Sequence, residues 1–166
     1  MAGVARLKRP YRVRFDEAGP DGHLRSSGYL RYAQDLAWIH SESHGFNNEW
    51  YAARELTWLV RAVEPDIISD VAYGTELLVS TEVVGFRRIW ARRRSEFRLA
   101  GTERPVAVAL TDWVLLGRRG VPTRVPAENR ERLHRARTQL HADAPRSAPG
   151  AGWCHCVSNQ GQAERG

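Results

Sequence analysis

The sequence predicts an α+β fold in which an antiparallel sheet wraps around one long helix. Two observations carry this. One stretch of helical periodicity, from Ser26 or Ser27 to Gly45, is the only long one in the chain, and four stretches of strand character follow it. Ahead of the helix, residues 10–16 alternate Tyr11, Val13 and Phe15 against Arg12, Arg14 and Asp16, the period-2 signature of a strand with one buried face. The order is therefore strand, helix, four strands, with the helix enclosed by the sheet.

Each element has its own local reason. Gly19-Pro20-Asp21-Gly22 is rich in turn-forming residues and separates the first strand from the helix. Ser26 or Ser27 supplies an N-cap, Tyr29, Leu30, Ala33, Leu36, Ala37 and His40 recur at helical spacing, and Gly45 is a C-terminal stop. Tyr32, Trp38 and Ile39 widen the apolar surface, so the helix is expected to be largely enclosed. A polar linker, Asn47 to Glu49, leads to strands at Glu55 to Ile68, interrupted near Pro65, Glu76 to Arg87, Ile89 to Leu99 and Pro105 to Leu116. Short connections make the last three an antiparallel meander. The domain is placed at residues 10–130, after an N-terminal extension at 1–9. A short polar helix is expected from Glu128 to Leu140, largely in the 131–142 segment that follows the domain, and residues 143–166, dominated by Ala, Pro, Gly, Ser and Gln, are expected to form a disordered tail.

Bulk composition narrows the function. A length of 166 residues with 42% hydrophobic and 27% charged residues fits one globular domain. The longest apolar runs, such as Val106 to Leu110, fall well short of the ~20 residues a membrane-crossing helix needs. Met1 to Pro10 has basic residues but no apolar core after them, so a cytoplasmic location is expected. Cys154 and Cys156 imply no disulfide framework, and without a second cluster no metal and no cofactor is expected. The net charge is +6 and Lys8 is the single lysine among 25 basic residues. That bias is equally the mark of a GC-rich genome or of an anionic partner.

Specific residues then meet this order of elements. Val13-Arg14-Phe15, Gly19-Pro20-Asp21-Gly22-His23-Leu24 and Tyr29-Leu30-Arg31-Tyr32 resemble the hotdog thioesterases. Gln34-Asp35, His40 and Gly45 are similar to the acyl-acyl carrier protein thioesterase branch, as are Asp112-Trp113-Val114-Leu115-Leu116 and Arg124-Val125-Pro126-Ala127-Glu128. The 4-hydroxybenzoyl-CoA thioesterase-like enzymes share the general pattern. The resemblance covers residues 10–130 and implies a single hotdog domain, a five-stranded sheet around a central helix, working as a homodimer or homotetramer. It implies hydrolysis of fatty acyl thioesters of acyl carrier protein or coenzyme A. The acid that often begins the catalytic loop falls on Gly19, and the Asn-Asn pair that commonly opens the helix falls on Arg25 and Ser26, so one usual catalytic carboxylate is missing and Asp21, two places later, is a candidate to replace it.

Thioester hydrolysis needs an activated water or a carboxylate nucleophile, donors for the oxyanion, and a pocket for the acyl chain. Asp35 is the first choice as base or nucleophile, because it is acidic on an otherwise apolar helix and burial would raise its pKa. Pairing with Arg31 one turn back is its structural alternative. Gln34 orients the water or the carbonyl. His23 and Asp21 are the loop candidates. Amides from Leu24 through Arg25 and Ser26 to Ser27 are expected to be unpaired at the helix start and to receive the carbonyl oxygen, with Tyr29 next to them. His40 and His44 share a helical face, but without a third ligand a packed His40 and an exposed His44 are expected. Arg92 and Arg94 share one face of a strand and Arg93 the other, so they offer either a dock for an anionic carrier or a solvated surface. A non-catalytic acyl-binding or dehydratase-like protein is the alternative to a hydrolase, and a nucleic-acid binder ranks last because no recognition module is present.

Overall fold

The computed structural model describes residues 6–133. The strands are β1 (Arg6–Arg12), β2 (Thr57–Ile67), β3 (Glu76–Phe86), β4 (Trp90–Leu99) and β5 (Pro105–Leu116). The long helix α1 covers Ser26–Ser43 and a short helix α2 covers Asn48–Ala52. All neighbours in the sheet are antiparallel, in the order β1-β3-β4-β5-β2. The expected sheet around a central helix is what the chain forms. Among the described residues no helix is long and apolar enough to cross a membrane.

Several boundaries differ from expectation for local reasons. Residues 6–9, expected to be an extension, pair with β3 from Glu82 to Val79. The strand also ends earlier: Phe15 begins a single 3₁₀ turn, Phe15–Glu17, and is 82% exposed, packing edge-on against Tyr73. Val13 keeps its buried place through two bonds flanking Gly74: its N–H donates to the Thr75 carbonyl and its carbonyl accepts from the Gly74 N–H. Pro65 does not interrupt β2, because β2 is an edge strand where a missing N–H is tolerated; the register shift lies between Val60 and Ala62. Asn47 is not linker: its side chain accepts from the Trp50 N–H at 2.9 Å and caps α2. The 143–166 tail and most of the 131–142 helix lie outside the described residues, although residues 127–133 are helical.

The helix start also differs. Arg25, not a serine, is the N-cap, and no side chain caps the helix. Gly45 does end it, at φ +86. One stripe of α1 is buried: Gly28, Tyr29, Tyr32, Ala33, Leu36, Ala37, His40 and Ser41. It packs on Leu77, Val79, Phe97, Val106, Ala107 and Ala109 of the sheet. The opposite face, with Arg31, Gln34, Asp35 and Trp38, is exposed, so a single chain covers the helix on one side only.

Candidate active site

The turn ahead of α1 is held by its own backbone. The Gly19 N–H donates to the His23 carbonyl at 2.8 Å, the Gly22 N–H to the Gly19 carbonyl at 3.0 Å, and Gly22 takes φ +77. The His23 N–H donates to Asp21 Oδ1 at 3.1 Å, and the His23 ring lies 3.6 Å from the other carboxylate oxygen. That backbone donor is the main reason the Asp21 carboxyl lies below the usual carboxylate range. The Gly19 position explains itself in space. A Cβ there would fall 2.7 Å from Asp21 Oδ1, so the Asp21 carboxylate occupies the volume into which a side chain at 19 would project.

The expected row of free amides is shorter than predicted. The Leu24 N–H donates to the Val71 carbonyl at 2.8 Å and the Arg25 N–H to the Glu17 carbonyl at 3.1 Å, so both are spent on tying the turn to its neighbours. Ser26 and Ser27, exposed at the first helical positions, retain theirs by helix geometry. Tyr29 is not beside them on the surface. Its ring is buried edge-on against Phe97 at 5.1 Å, and its hydroxyl has no partner among the described residues.

Asp35 is exposed rather than buried, since it falls outside the stripe that meets the sheet. Its partner is not Arg31 but the Tyr11 hydroxyl of β1, which donates to Oδ2 at 2.6 Å. Tyr11 stacks on Tyr32 with ring centres 4.7 Å apart, and the Tyr32 hydroxyl donates to Glu17, a carboxylate that also accepts the Arg14 N–H at 3.0 Å. Sequence reasoning missed buried Glu17, and its spacing offered no periodic signal.

A pocket of about 150 Å³ opens between α1 and the sheet. Gln34, Ala37, Trp38 and Ser41 of α1 form one wall, Trp58, Val83, Phe86, Ala91, Arg93 and Trp113 the sheet side, and Tyr51 and Leu133 close it. Gln34 is the one predicted site residue on this wall; Asp35 is beside it in sequence but on the adjacent helix face. Asp21, His23, Ser26 and Ser27 lie at the other end of α1, about 12 Å away along the axis from Ser26 to Gln34. One chain therefore does not bring the turn and the pocket together.

His44 is buried, not exposed: it lies 4.5 Å from the His40 ring, its Nδ1–H donates to the His40 carbonyl at 2.8 Å, and burial pushes its pKa down. Arg92 and Arg94 are already engaged. Arg92 makes a two-pronged pair with Asp112 at 2.7 and 2.8 Å, and Arg94 reaches Glu96 at 2.7 Å, where Arg6 and Arg98 also converge. Arg93 faces inward, as alternation requires. Among the described residues no three His, Cys, Asp or Glu side chains converge on a point that could hold a metal ion; Cys154 and Cys156 lie outside them.

The family model described as the acyl-ACP thioesterase N-terminal domain matches residues 5–133. No curated protein matches the sequence. Among solved structures, the fold is similar to that of a Lactobacillus plantarum protein assigned as an oleoyl thioesterase, with TM-score 0.73 and 14% identity over 81% of this chain and 53% of that one. It is similar also to the 12:0-ACP thioesterase of Umbellularia californica, with TM-score 0.68 and 20% identity over 80% of this chain and 54% of the other. A 1,4-dihydroxy-2-naphthoyl-CoA thioesterase from Synechocystis gives TM-score 0.70 and 12% identity over 78% of this chain and 96% of its own. The chain thus spans about half the length of the first and second of these. At such identities the likeness is one of fold.

Proposed function

Because the chain belongs to the acyl-ACP thioesterase family, we propose that it hydrolyses acyl thioesters of acyl carrier protein or coenzyme A, in the cytoplasm, to a free acid and a thiol. The observation that carries this reading is the aromatic-walled pocket under α1 with Gln34 on its wall, Gln34 being followed in the chain by the exposed carboxylate of Asp35. The acyl group enters the pocket and the thioester stays at its mouth. Asp35 takes a proton from water, the water oxygen bonds to the carbonyl carbon, and collapse breaks the C–S bond, the thiolate leaving and taking up the proton. Gln34 orients the water or the carbonyl.

A second assignment of the carboxylate has its own support. Asp21 fills the space next to Gly19, beside His23 and the free amides of Ser26 and Ser27, which favours that turn as the place where a carbonyl oxygen is held and attacked. Two copies reconcile the two ends of α1, the turn of one serving the pocket of the other. We assign the contact to the free edge of β2, which carries exposed Leu59, Ile67 and, just beyond it, Ile68, because the other edge is blunted by Arg6, Lys8, Arg9 and Pro10.

Thiol release from acyl-coenzyme A and acyl carrier protein substrates, short to long and aromatic, tests the reading. Asp35→Ala is expected to lower kcat about 10²–10⁴-fold with the fold intact. Survival of turnover in that variant and its loss in Asp21→Ala transfers the role to the turn. No release from any substrate by the wild-type protein defeats the hydrolase reading and leaves an acyl-binding one.

A further inference from the structure

The walls of the pocket and its charge do not match. Trp38, Tyr51, Trp58, Phe86 and Trp113 make it largely aromatic, yet β4 sends the guanidinium of Arg93 into it. Arg93 is 8% exposed. Among the described residues its guanidinium makes one hydrogen bond, to His40 Nδ1 at 2.9 Å, and no carboxylate pairs with it. A guanidinium has five N–H donors, so most of its capacity is unspent. Burial pulls its pKa down to about 10, the mark of a cation that has lost water without gaining an anion.

Apart from exposed Gln34, the other polar groups on the walls are either satisfied or are donors too. The Tyr51 hydroxyl takes the Trp58 indole N–H at 2.9 Å and lies 3.0 Å from Ser41 Oγ. The Trp113 indole N–H is buried with no partner among the described residues. Two independent donors, one of them charged, therefore await an acceptor. A plain alkyl chain would bury Arg93 further and give it nothing.

We propose that this pocket selects short acyl groups that end, at the end remote from the thioester, in a carboxylate, with Arg93 pairing to it and the Trp113 indole N–H as a second donor. The inference rests on the thioesterase reading and names its substrate class. Volume sets the length: a cavity of about 150 Å³ is the size that holds a benzene-sized molecule, which corresponds to acyl groups about four to six carbons long.

Paired substrates of equal length test it, adipoyl-coenzyme A against hexanoyl-coenzyme A. The wild-type protein is expected to favour the carboxylate-ended chain by about tenfold or more in kcat/KM, and Arg93→Met to bring that ratio to about one. Equal or reversed preference in the wild type, or a preference that persists in Arg93→Met, overturns the proposal. A folded Arg93→Met is checked by circular dichroism; should it not fold, Trp113→Phe is expected to reduce the same ratio severalfold, and an unchanged ratio there counts against the proposal. Quenching of tryptophan fluorescence by free adipate and by hexanoate separates this idea from the hydrolase reading. Adipate-selective quenching that depends on Arg93, with no thiol release from any thioester, sinks hydrolysis and keeps the pocket assignment. Thiol release without carboxylate preference in either assay does the reverse.

Discussion

The Tyr11 hydroxyl donates to Asp35 Oδ2 at 2.6 Å, so a residue of the edge strand β1 holds the exposed carboxylate of the central helix in one orientation. Arg31, one turn back along α1, does not supply this bond. The bond comes from across the fold, and the stack on Tyr32 fixes the donor in turn.

Tyr11→Phe removes that donor while keeping the ring stack. With Asp35 as the base, a hydrogen bond to a charged group is worth about 1.5 kcal/mol, which corresponds to roughly a tenfold loss in kcat. Steady-state kinetics should show the loss in kcat with KM little changed. A loss confined to thermal stability would assign Tyr11 to the fold alone.

Alkaline pH should loosen the same corner. Burial first, then the bond to Asp35 for Tyr11 and to Glu17 for Tyr32, raise both phenol pKa values above their ordinary value. A group whose folded pKa is raised contributes stability that is intact below the unfolded value, about 10, and is lost as pH climbs beyond it. Urea midpoints should hold steady from pH 8 to 9.5 and fall above about 10, and Tyr11→Phe should show a shallower fall.

His44 gives the opposite dependence on the acid side. Burial lowers its pKa, so the folded protein holds this ring neutral; stability is intact above the unfolded value of about 6.5 and is lost as pH falls below it. Denaturation at pH 7.5 and 5.5 should show the decline, and His44→Gln should flatten that slope even where it lowers stability at neutral pH.

On the outer face of the sheet, Asp112→Ala should cost about 2 kcal/mol. It strips both bonds from the Arg92 guanidinium and leaves Arg61, 3.9 Å away, without its partner. Because Arg92 is part-exposed, water recovers some of the loss; Leu36→Ala, fully buried in the core, should cost more, about 2–5 kcal/mol. Chemical denaturation of the two variants orders them.

Association through β2 predicts that Leu59→Glu, on a side chain 54% exposed in the single chain, shifts the protein toward monomer by sedimentation without unfolding it. An unchanged sedimentation coefficient would move the contact elsewhere.

The sheet was legible because alternation survives in β3, β4 and β5, whose inner residues are buried and whose outer residues pair arginines with acids. Phe15 misled for a simple reason: a two-residue period continues on paper after Arg12, although the chain has already turned away from the sheet. Asp35 was placed on the right helix, but a carboxylate partner on β1 lies 24 positions away and leaves no local trace. Arg93 could be turned inward by counting along the strand. That it has no acid opposite it could not be counted, because the pocket wall is assembled from six other elements.

The Gly19 and Asp21 pair carries a lesson about comparing chains. Position by position, the resemblance implies an acid where this chain has Gly19, which reads as a loss. In three dimensions the Asp21 carboxylate, anchored two residues downstream, reaches back to the space into which a side chain at 19 would project. Where a charge is anchored in the chain and where it sits in space are separate matters, and only the second bears on chemistry.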